Sequence, residues 1–298
     1  MLRKLLILSL FMAGVTACVS VTPPSSVTVT PQARNEAPVA QLPSTEAPPV
    51  TTPTLEATAI GDVELTILFD NTAIDSQLKS GWGFAALVEY GGHTLLFDTG
   101  ADGSILLDNM RQLGVEPQSI EAVILSHEHS DHTGGLPALL DTGIQPTIYA
   151  PSAFPDAFKE WMRAQTELIE VTDALTILPG MHLTRPIGSI VEEALVVETR
   201  NGTVVITGCA HPGLTNMVRQ AQEVVPGKVS LLAGGFHLGY IANKDQLQPI
   251  ITELRELGVE RILPTHCTGD TAMGLFRAEF GEAYREGGVG RTVVSSAK

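Results

Sequence analysis

A layered α/β domain, with mixed sheets covered by helices, is what this sequence predicts, and three observations predict it. Short runs rich in β-branched and aromatic residues alternate with segments of helical spacing almost to the C-terminus. A Gly-Gly pair at 91–92 joins two of these runs as a hairpin, so part of the sheet is antiparallel. The 298 residues are 44% hydrophobic with only three cysteines, which excludes a disordered, collagenous or disulfide-stapled protein and leaves material for a real core.

The first sixty residues stand apart from that pattern. Met1-Leu2-Arg3-Lys4 and the apolar run Leu5 to Val15 form a charged region and a short hydrophobic region, too brief for a finished membrane span, and read as a signal peptide over 1–17. Val15-Thr16-Ala17-Cys18 resembles the lipobox of bacterial lipoproteins, which implies a lipid on Cys18 and an exported protein held at the outer face of a membrane. The alternative is an ordinary secretory signal. From 18 to 60 the chain is crowded with Pro, Thr, Ser, Ala and Val and has neither helical nor strand period; pairs such as Pro23-Pro24 and Pro48-Pro49 favour extended polyproline conformations, so this is a tether. The folded domain is expected over 61–298.

Within it, Val63 to Phe69, Phe84 to Tyr90 and His93 to Phe97 read as strands, and Gly103 to Leu113 as a helix stopped by Gly114. Glu121 to Leu125 is a short apolar strand. Ser152 to Arg163, Asn243 to Leu257 and Thr271 to Phe280 have helical spacing, whereas Leu195 to Glu198, Thr203 to Thr207, Val229 to Ala233 and Arg261 to Leu263 read as strands, with an edge strand near Arg291 to Val294.

The formal net charge is −15, and −17 once Arg3 and Lys4 leave with the signal, which repels phosphate backbones and argues against a nucleic-acid partner. It does not exclude an anionic small-molecule substrate, because a bound dication dominates its local field.

The chemistry concentrates in Ser126-His127-Glu128-His129-Ser130-Asp131-His132-Thr133-Gly134-Gly135, three imidazoles and a carboxylate within six positions after an apolar strand. Clustered imidazoles waste desolvation energy in a core, whereas a divalent ion takes neutral imidazole and carboxylate readily. In an extended loop, residues two apart share a side, so His127 and His129 converge on one ion while Asp131 and His132 turn toward a second; Glu128 points to solvent. Gly134-Gly135 lets the backbone bend tightly and lets a helix begin close to the ions, which a β-carbon would obstruct. His93 and His182 lack a partner motif and are expected at the surface.

With Leu96-Phe97-Asp98-Thr99-Gly100 upstream, this H-x-H-x-D-H motif resembles the metallo-β-lactamase superfamily, and the resemblance implies a four-layer αββα sandwich with two mixed sheets. More narrowly, Phe69-Asp70-Asn71-Thr72, Gly81-Trp82-Gly83, Thr207-Gly208-Cys209-Ala210-His211-Pro212-Gly213, Gly234-Gly235-Phe236-His237-Leu238 and Thr265-His266-Cys267-Thr268-Gly269 resemble one subgroup, related to the methanopterin-pathway ribofuranosylaminobenzene phosphate synthase. An exported lipoprotein is out of place in a cytosolic pterin pathway, so that label does not name the substrate.

Position by position, the resemblance implies that His127, His129 and His211 ligate a first metal and Asp131, His132 and His266 a second. Two zinc ions are the expected cofactor, with a single ion, iron or manganese as alternatives. Asp98 would hold the metal loop through hydrogen bonds. Asp70, Asn71 and Trp82 are placed near the site, although a turn-forming pair and a packed indole explain them equally well. Where many members carry a bridging aspartate, this chain has Cys209, which either ligates, or is a buried apolar residue, or leaves one site weak. Cys209 and Cys267 either pair or remain thiols beside metal histidines.

The implied activity is hydrolysis by metal-bound hydroxide, since such ions lower the pKa of bound water to about 7. Asp131 would orient the nucleophile, and His237 would contact the substrate oxyanion, donate a proton or complete the metal shell. A phosphate-containing or other anionic ester is the favoured small-molecule substrate. The rivals are an iron-dependent redox enzyme on the same fold and a tethered binding module that keeps a metal without turnover.

Overall fold

The computed structural model of the protein describes residues 61–295. The expected signal peptide, Cys18 and the linker to residue 60 lie outside the described residues. Along the described chain run β1 (Val63–Phe69), β2 (Ala85–Tyr90), β3 (His93–Phe97), α1 (Gly103–Gln112), β4 (Ala122–Ile124), α2 (Ser130–Thr133), α3 (Leu136–Leu140), β5 (Thr147–Pro151), α4 (Asp156–Gln165) and β6 (Leu168–Val171). There follow β7 (Leu175–Leu178), β8 (Met181–Leu183), β9 (Leu195–Thr199), β10 (Gly202–Thr207), α5 (Leu214–Val224), β11 (Val229–Gly235), α6 (Lys244–Glu256), β12 (Ile262–Thr265), α7 (Asp270–Phe280) and β13 (Thr292–Ser295). No helix among the described residues is long and apolar enough to cross a membrane.

The strands form two sheets, in the orders β13-β1-β2-β3-β4-β5-β6 and β12-β11-β10-β9-β8-β7. Both are mixed. In the first, β13, β1, β2 and β3 pair antiparallel, whereas β3 to β6 pair parallel. In the second, β7 to β10 pair antiparallel and β10, β11 and β12 parallel. Gly91 and Gly92 make the β2–β3 turn with φ of 62° and 88°, the left-handed pair that a two-residue hairpin of this hand requires.

Strand alternation divides the apolar residues between two interiors. Ile67, Phe97 and Ile124 of the first sheet meet Val197, Ile206, Leu231 and Leu263 of the second. On the outer face of the first sheet, Leu96, Val123 and Ile148 pack on Leu106 and Met110 of α1, Leu139 of α3 and Met162 of α4. On the outer face of the second, Val205 and Leu232 pack on Val218 of α5, Ile251 of α6 and Phe276 of α7. The order is therefore helices, sheet, sheet, helices, the αββα sandwich that the sequence implies. Each large side chain so buried contributes roughly 1.5–3 kcal/mol, so the sandwich is a firm base for loops at its edge.

One expectation is revised, and a second holds in part. The helix expected from Ser152 starts at Asp156, because Pro155 disfavours helical geometry at the residue before it. Gly134 and Gly135 have ordinary helical φ values of −66° and −79°. The expected obstruction of a β-carbon does hold: a Cβ would lie 2.3 Å from the Ala101 carbonyl oxygen at Gly134 and 2.1 Å from that of Thr99 at Gly135.

Candidate metal centre

Because β1 and β3 run the same way as β4, and β10, β11 and β12 run parallel to one another, their C-terminal ends carry Asp70, Asp98, Ser126, Cys209, His237 and His266 to sheet edges where side chains from both sheets meet. Four of the residues that follow these strands have left-handed backbones without being glycine: Asp98 (φ 56°), Ala210 (59°), His237 (47°) and His266 (46°). They are the positive-φ non-glycine residues of the described chain. Such conformations cost of order 1–3 kcal/mol each and persist only where the surroundings over-determine them.

The six expected ligands come together. His127 Nε2 lies 3.1 Å from His129 Nδ1, and the His211 ring sits 4.8 Å, centroid to centroid, from each of those two imidazoles. His211 Nε2 is buried and has no hydrogen-bond partner. Beside this trio, His266 Nε2 is 3.1 Å from Asp131 Oδ2, and His132 Nε2 is 3.8 Å from the same oxygen and 3.2 Å from Cys209 Sγ. The ligand atoms of His127, His129 and His211, of Asp131, His132, Cys209 and His266, and of Cys209, His211 and His237 each fall within 4.8 Å of one another. Cys209 belongs to two of these groups, at the position where the sequence lacks an aspartate.

Their protonation suits a metal. Burial, reinforced by the imidazoles of His132, His211 and His129, pushes His127 far below its usual pKa. Burial and His237 push His211 down to about 4. Both rings are thus neutral near pH 7, with lone pairs to offer. Burial works upward on Asp131, but the His266 hydrogen bond and the His132 charge outweigh it and keep the carboxylate ionised. Converging neutral nitrogens, an ionised oxygen and a buried orphan Nε2 fit a divalent cation, which would satisfy all of them at once.

Outer contacts aim these ligands. Asp98 is fully buried; its Oδ2 is 2.7 Å from His132 Nδ1 and accepts from Ser126 Oγ at 2.8 Å, while Oδ1 accepts from Ser126 N–H at 2.7 Å. Ser126 Oγ is also 2.9 Å from His127 Nδ1. On the other side, Asn71 Oδ1 is 3.0 Å from His266 Nδ1 and its amide donates to the His266 carbonyl at 2.9 Å. Asp70 Oδ1 accepts the His266 N–H at 2.8 Å, and burial pushes that carboxyl up to about 6. Trp82 meets the His266 ring edge-on at 4.8 Å and is 62% exposed, so it walls the site and is not a packed core indole. His237 lies 4.2 Å from the His211 ring. Glu128 is exposed, His93 pairs with Glu121 at 2.8 Å and His182 with Glu198 at 2.8 Å, away from the cluster.

One carboxylate escaped the sequence reading. Glu192 is fully buried and its Oε1 accepts the N–H groups of Gly208, Cys209 and Ala210 at 3.1, 2.9 and 2.8 Å, while Oε2 accepts that of His211 at 2.8 Å. Burial pushes its pKa up to about 7 against the pull of these donors. It cradles the loop that presents Cys209 and His211. In sequence, Glu192-Glu193 looks like a solvated charge pair, and no local pattern reveals a partner sixteen residues on.

A cavity of about 770 Å³ opens beside His266, with Asn71, Trp82, Cys267, Asp270, Arg277 and Glu286 in its lining. Arg277 is held by Glu286 at 2.8 Å.

Comparisons with known proteins agree with this fold. The family model of the metallo-beta-lactamase superfamily matches residues 83–266. A 7,8-dihydropterin-6-methyl-4-(beta-D-ribofuranosyl)-aminobenzene-5'-phosphate synthase of Methanocaldococcus jannaschii is 29% identical over 279 residues, covering 76% of this chain and 95% of the relative. Among solved structures, Tm1679, a metal-dependent hydrolase of the beta-lactamase superfamily, superposes with a TM-score of 0.67 and 26% identity over 79% of this chain and all of that one. Human tRNase Z, short form, superposes with a TM-score of 0.54 and 17% identity, covering 77% of this chain and 98% of its own, a likeness of fold.

Proposed function

Since the chain belongs to the metallo-beta-lactamase superfamily, we propose that it is a metal-dependent hydrolase of a small phosphate-containing or other anionic ester. The observation that carries this reading is the convergence of His127, His129 and His211 beside Asp131, His132, Cys209 and His266. Two zinc ions are the cofactor we assign, the first held by the three histidines and the second by Asp131, His132 and His266. Such ions, when bound, supply Lewis acidity that makes water nucleophilic near neutral pH and draws charge from the bond being broken.

The protein's own groups do the rest. Asp131, kept ionised, orients the attacking water through its free lone pairs. Hydrogen bonding to Cys267 raises the pKa of His237, which makes its imidazole the donor to the developing anionic oxygen at the mouth of the site. Trp82 gives the substrate's uncharged part a face to lie on. The neighbouring cavity, within the range of small-molecule sites, has its Arg277 occupied by Glu286 and carries Asp270 besides, which supports a small substrate over a polyanion such as RNA. The phosphate ester in the name of the M. jannaschii relative supports the same substrate class.

We further assign residues 1–17 as a signal peptide and Cys18 as a lipid anchor, which puts the hydrolase outside the cytoplasm, tethered to a membrane by residues 18–60. Metal quantification of purified protein, with phosphodiester, thioester and lactone assays on wild type, His127→Ala and His266→Ala, tests the activity. Unchanged metal content and turnover in both variants would overturn it. Detergent partitioning of wild type against Cys18→Ala tests the anchor, and partitioning unaffected by the substitution would remove it.

A further inference from the structure

Neither Cys209 nor Cys267 undergoes chemistry in the reading above, yet their sulfurs are 3.1 Å apart and both are free thiols. The contact is built from separate elements: Cys209 follows β10, Cys267 follows β12, and Gly235 at the end of β11 leaves room for them, since a Cβ there would stand 2.9 Å from Cys267 Sγ. The His237 N–H donates to Cys267 Sγ at 3.2 Å and fixes that sulfur against its neighbour. The two thiols differ in access. Cys209 is 2% exposed, whereas Cys267 is 8% exposed and lines the cavity beside His266, which a molecule the size of hydrogen peroxide can enter.

We infer that Cys209 and Cys267 form an oxidation site, a dithiol that hydrogen peroxide closes into a disulfide. Cys267 sulfur attacks one peroxide oxygen, the O–O bond breaks, and one water leaves once the displaced oxygen takes up a proton; Cys267 is left as the sulfenic acid. Cys209 sulfur then displaces the hydroxyl from Cys267, losing its own proton, and a second water leaves. Two thiols and one peroxide thus become one disulfide and two waters, with the two electrons passing from sulfur to oxygen. Closing the gap takes about 1 Å of sulfur movement. The product withdraws Cys209 Sγ from the place it shares between two groups of candidate ligands; this consequence rests on the metal reading, whereas the disulfide itself does not.

The test uses the full chain, stripped of metal by chelator, treated with hydrogen peroxide, alkylated under denaturing conditions and mapped by mass spectrometry. The expected product is one reducible cross-link joining the Cys209 and Cys267 peptides, lighter by two hydrogens, with no retained oxygen and both thiols recovered by dithiothreitol. Cys18 is read on its own peptide. Cys267→Ser, checked for native circular dichroism, should give no cross-link, and Cys209→Ser should trap oxygen on Cys267. Recovery of both wild-type thiols unmodified, or oxygen adducts without the cross-link, overturns the proposal. When cross-linked and reduced protein are then reloaded with zinc, a lower zinc content in the cross-linked form supports the consequence for the metal; equal zinc uptake with the cross-link present overturns that consequence alone.

Discussion

Replacing Glu192 by alanine strands four backbone donors at once. Its carboxylate accepts from Gly208, Cys209, Ala210 and His211 in a fully buried setting. A buried donor left without a partner costs about 1–3 kcal/mol. Taking the low end for each, because water can enter the space the side chain vacates, Glu192→Ala should lower the unfolding free energy by about 4 kcal/mol, a large part of the 5–15 kcal/mol typical of a domain. Glutamine separates hydrogen bonding from volume. Its carbonyl can stay at the Oε1 position and keep three acceptances, but its amide then faces the His211 N–H, donor against donor. Glu192→Gln should therefore cost about 1–3 kcal/mol and, by loosening His211, weaken zinc binding more than it weakens the fold. Urea unfolding of the metal-free protein, followed by circular dichroism, measures the first quantity, and zinc competition against a chromophoric chelator the second. If both variants unfold within about 0.5 kcal/mol of wild type, the scale of an ordinary surface substitution, and bind zinc equally well, the loop holds its shape without Glu192 and the account of how His211 is positioned fails.

Asn71→Ala removes both contacts to His266 and should weaken zinc at the Asp131, His132 and His266 site by roughly 10–100-fold, seen as loss of one ion during chelator titration while the other is retained. Glu193 is fully buried with both carboxylate oxygens unpartnered, and burial, then the Asp98 charge, raises its pKa well above the usual value. A raised carboxyl pKa means that the folded state holds its proton longer than the unfolded state does, so stability is full below the unfolded value and falls as pH rises toward the folded one. Glu193→Gln should remove that slope, and its advantage over wild type in urea unfolding should widen with pH; a gap that narrows would reverse the assignment. Gly135→Ala puts a methyl into the Thr99 carbonyl and should cost about 1–3 kcal/mol as overpacking, read as a lower melting temperature.

How much the sequence discloses depends on how local the signal is. The β1 and β3 boundaries coincide with their hydrophobic runs, and α6 begins right after its Asn243 cap, because alternation and capping act over a few residues. The metal loop is legible for the same reason: its histidines and aspartate are contiguous, and strand ends marked His211, His237 and His266 for inspection. β5 to β8 are too short to stand out, whereas α5 carries a clear apolar stripe at Leu214, Met217, Val218 and Ala221 and is not among the helices expected above. Asn71 and Glu192 act across 195 and 16–19 residues, and no periodicity reports a contact of that kind. The role of Cys209 was open between burial and ligation, and the geometry answers that it is buried and also adjacent to His132.

The left-handed turns after β3, β10, β11 and β12 also bear on when the centre takes shape. They are pinned by sheet ladders and by side chains such as Asp70, Asn71 and Glu192, all of which are protein contacts. On those contacts, the constellation should assemble during folding without waiting for an ion. Unlike a zinc finger, which is unfolded without its metal, a demetallated copy of this protein should endure as a folded, empty receptacle that reloads without refolding, and the element it carries would then follow local supply more than the order of its synthesis.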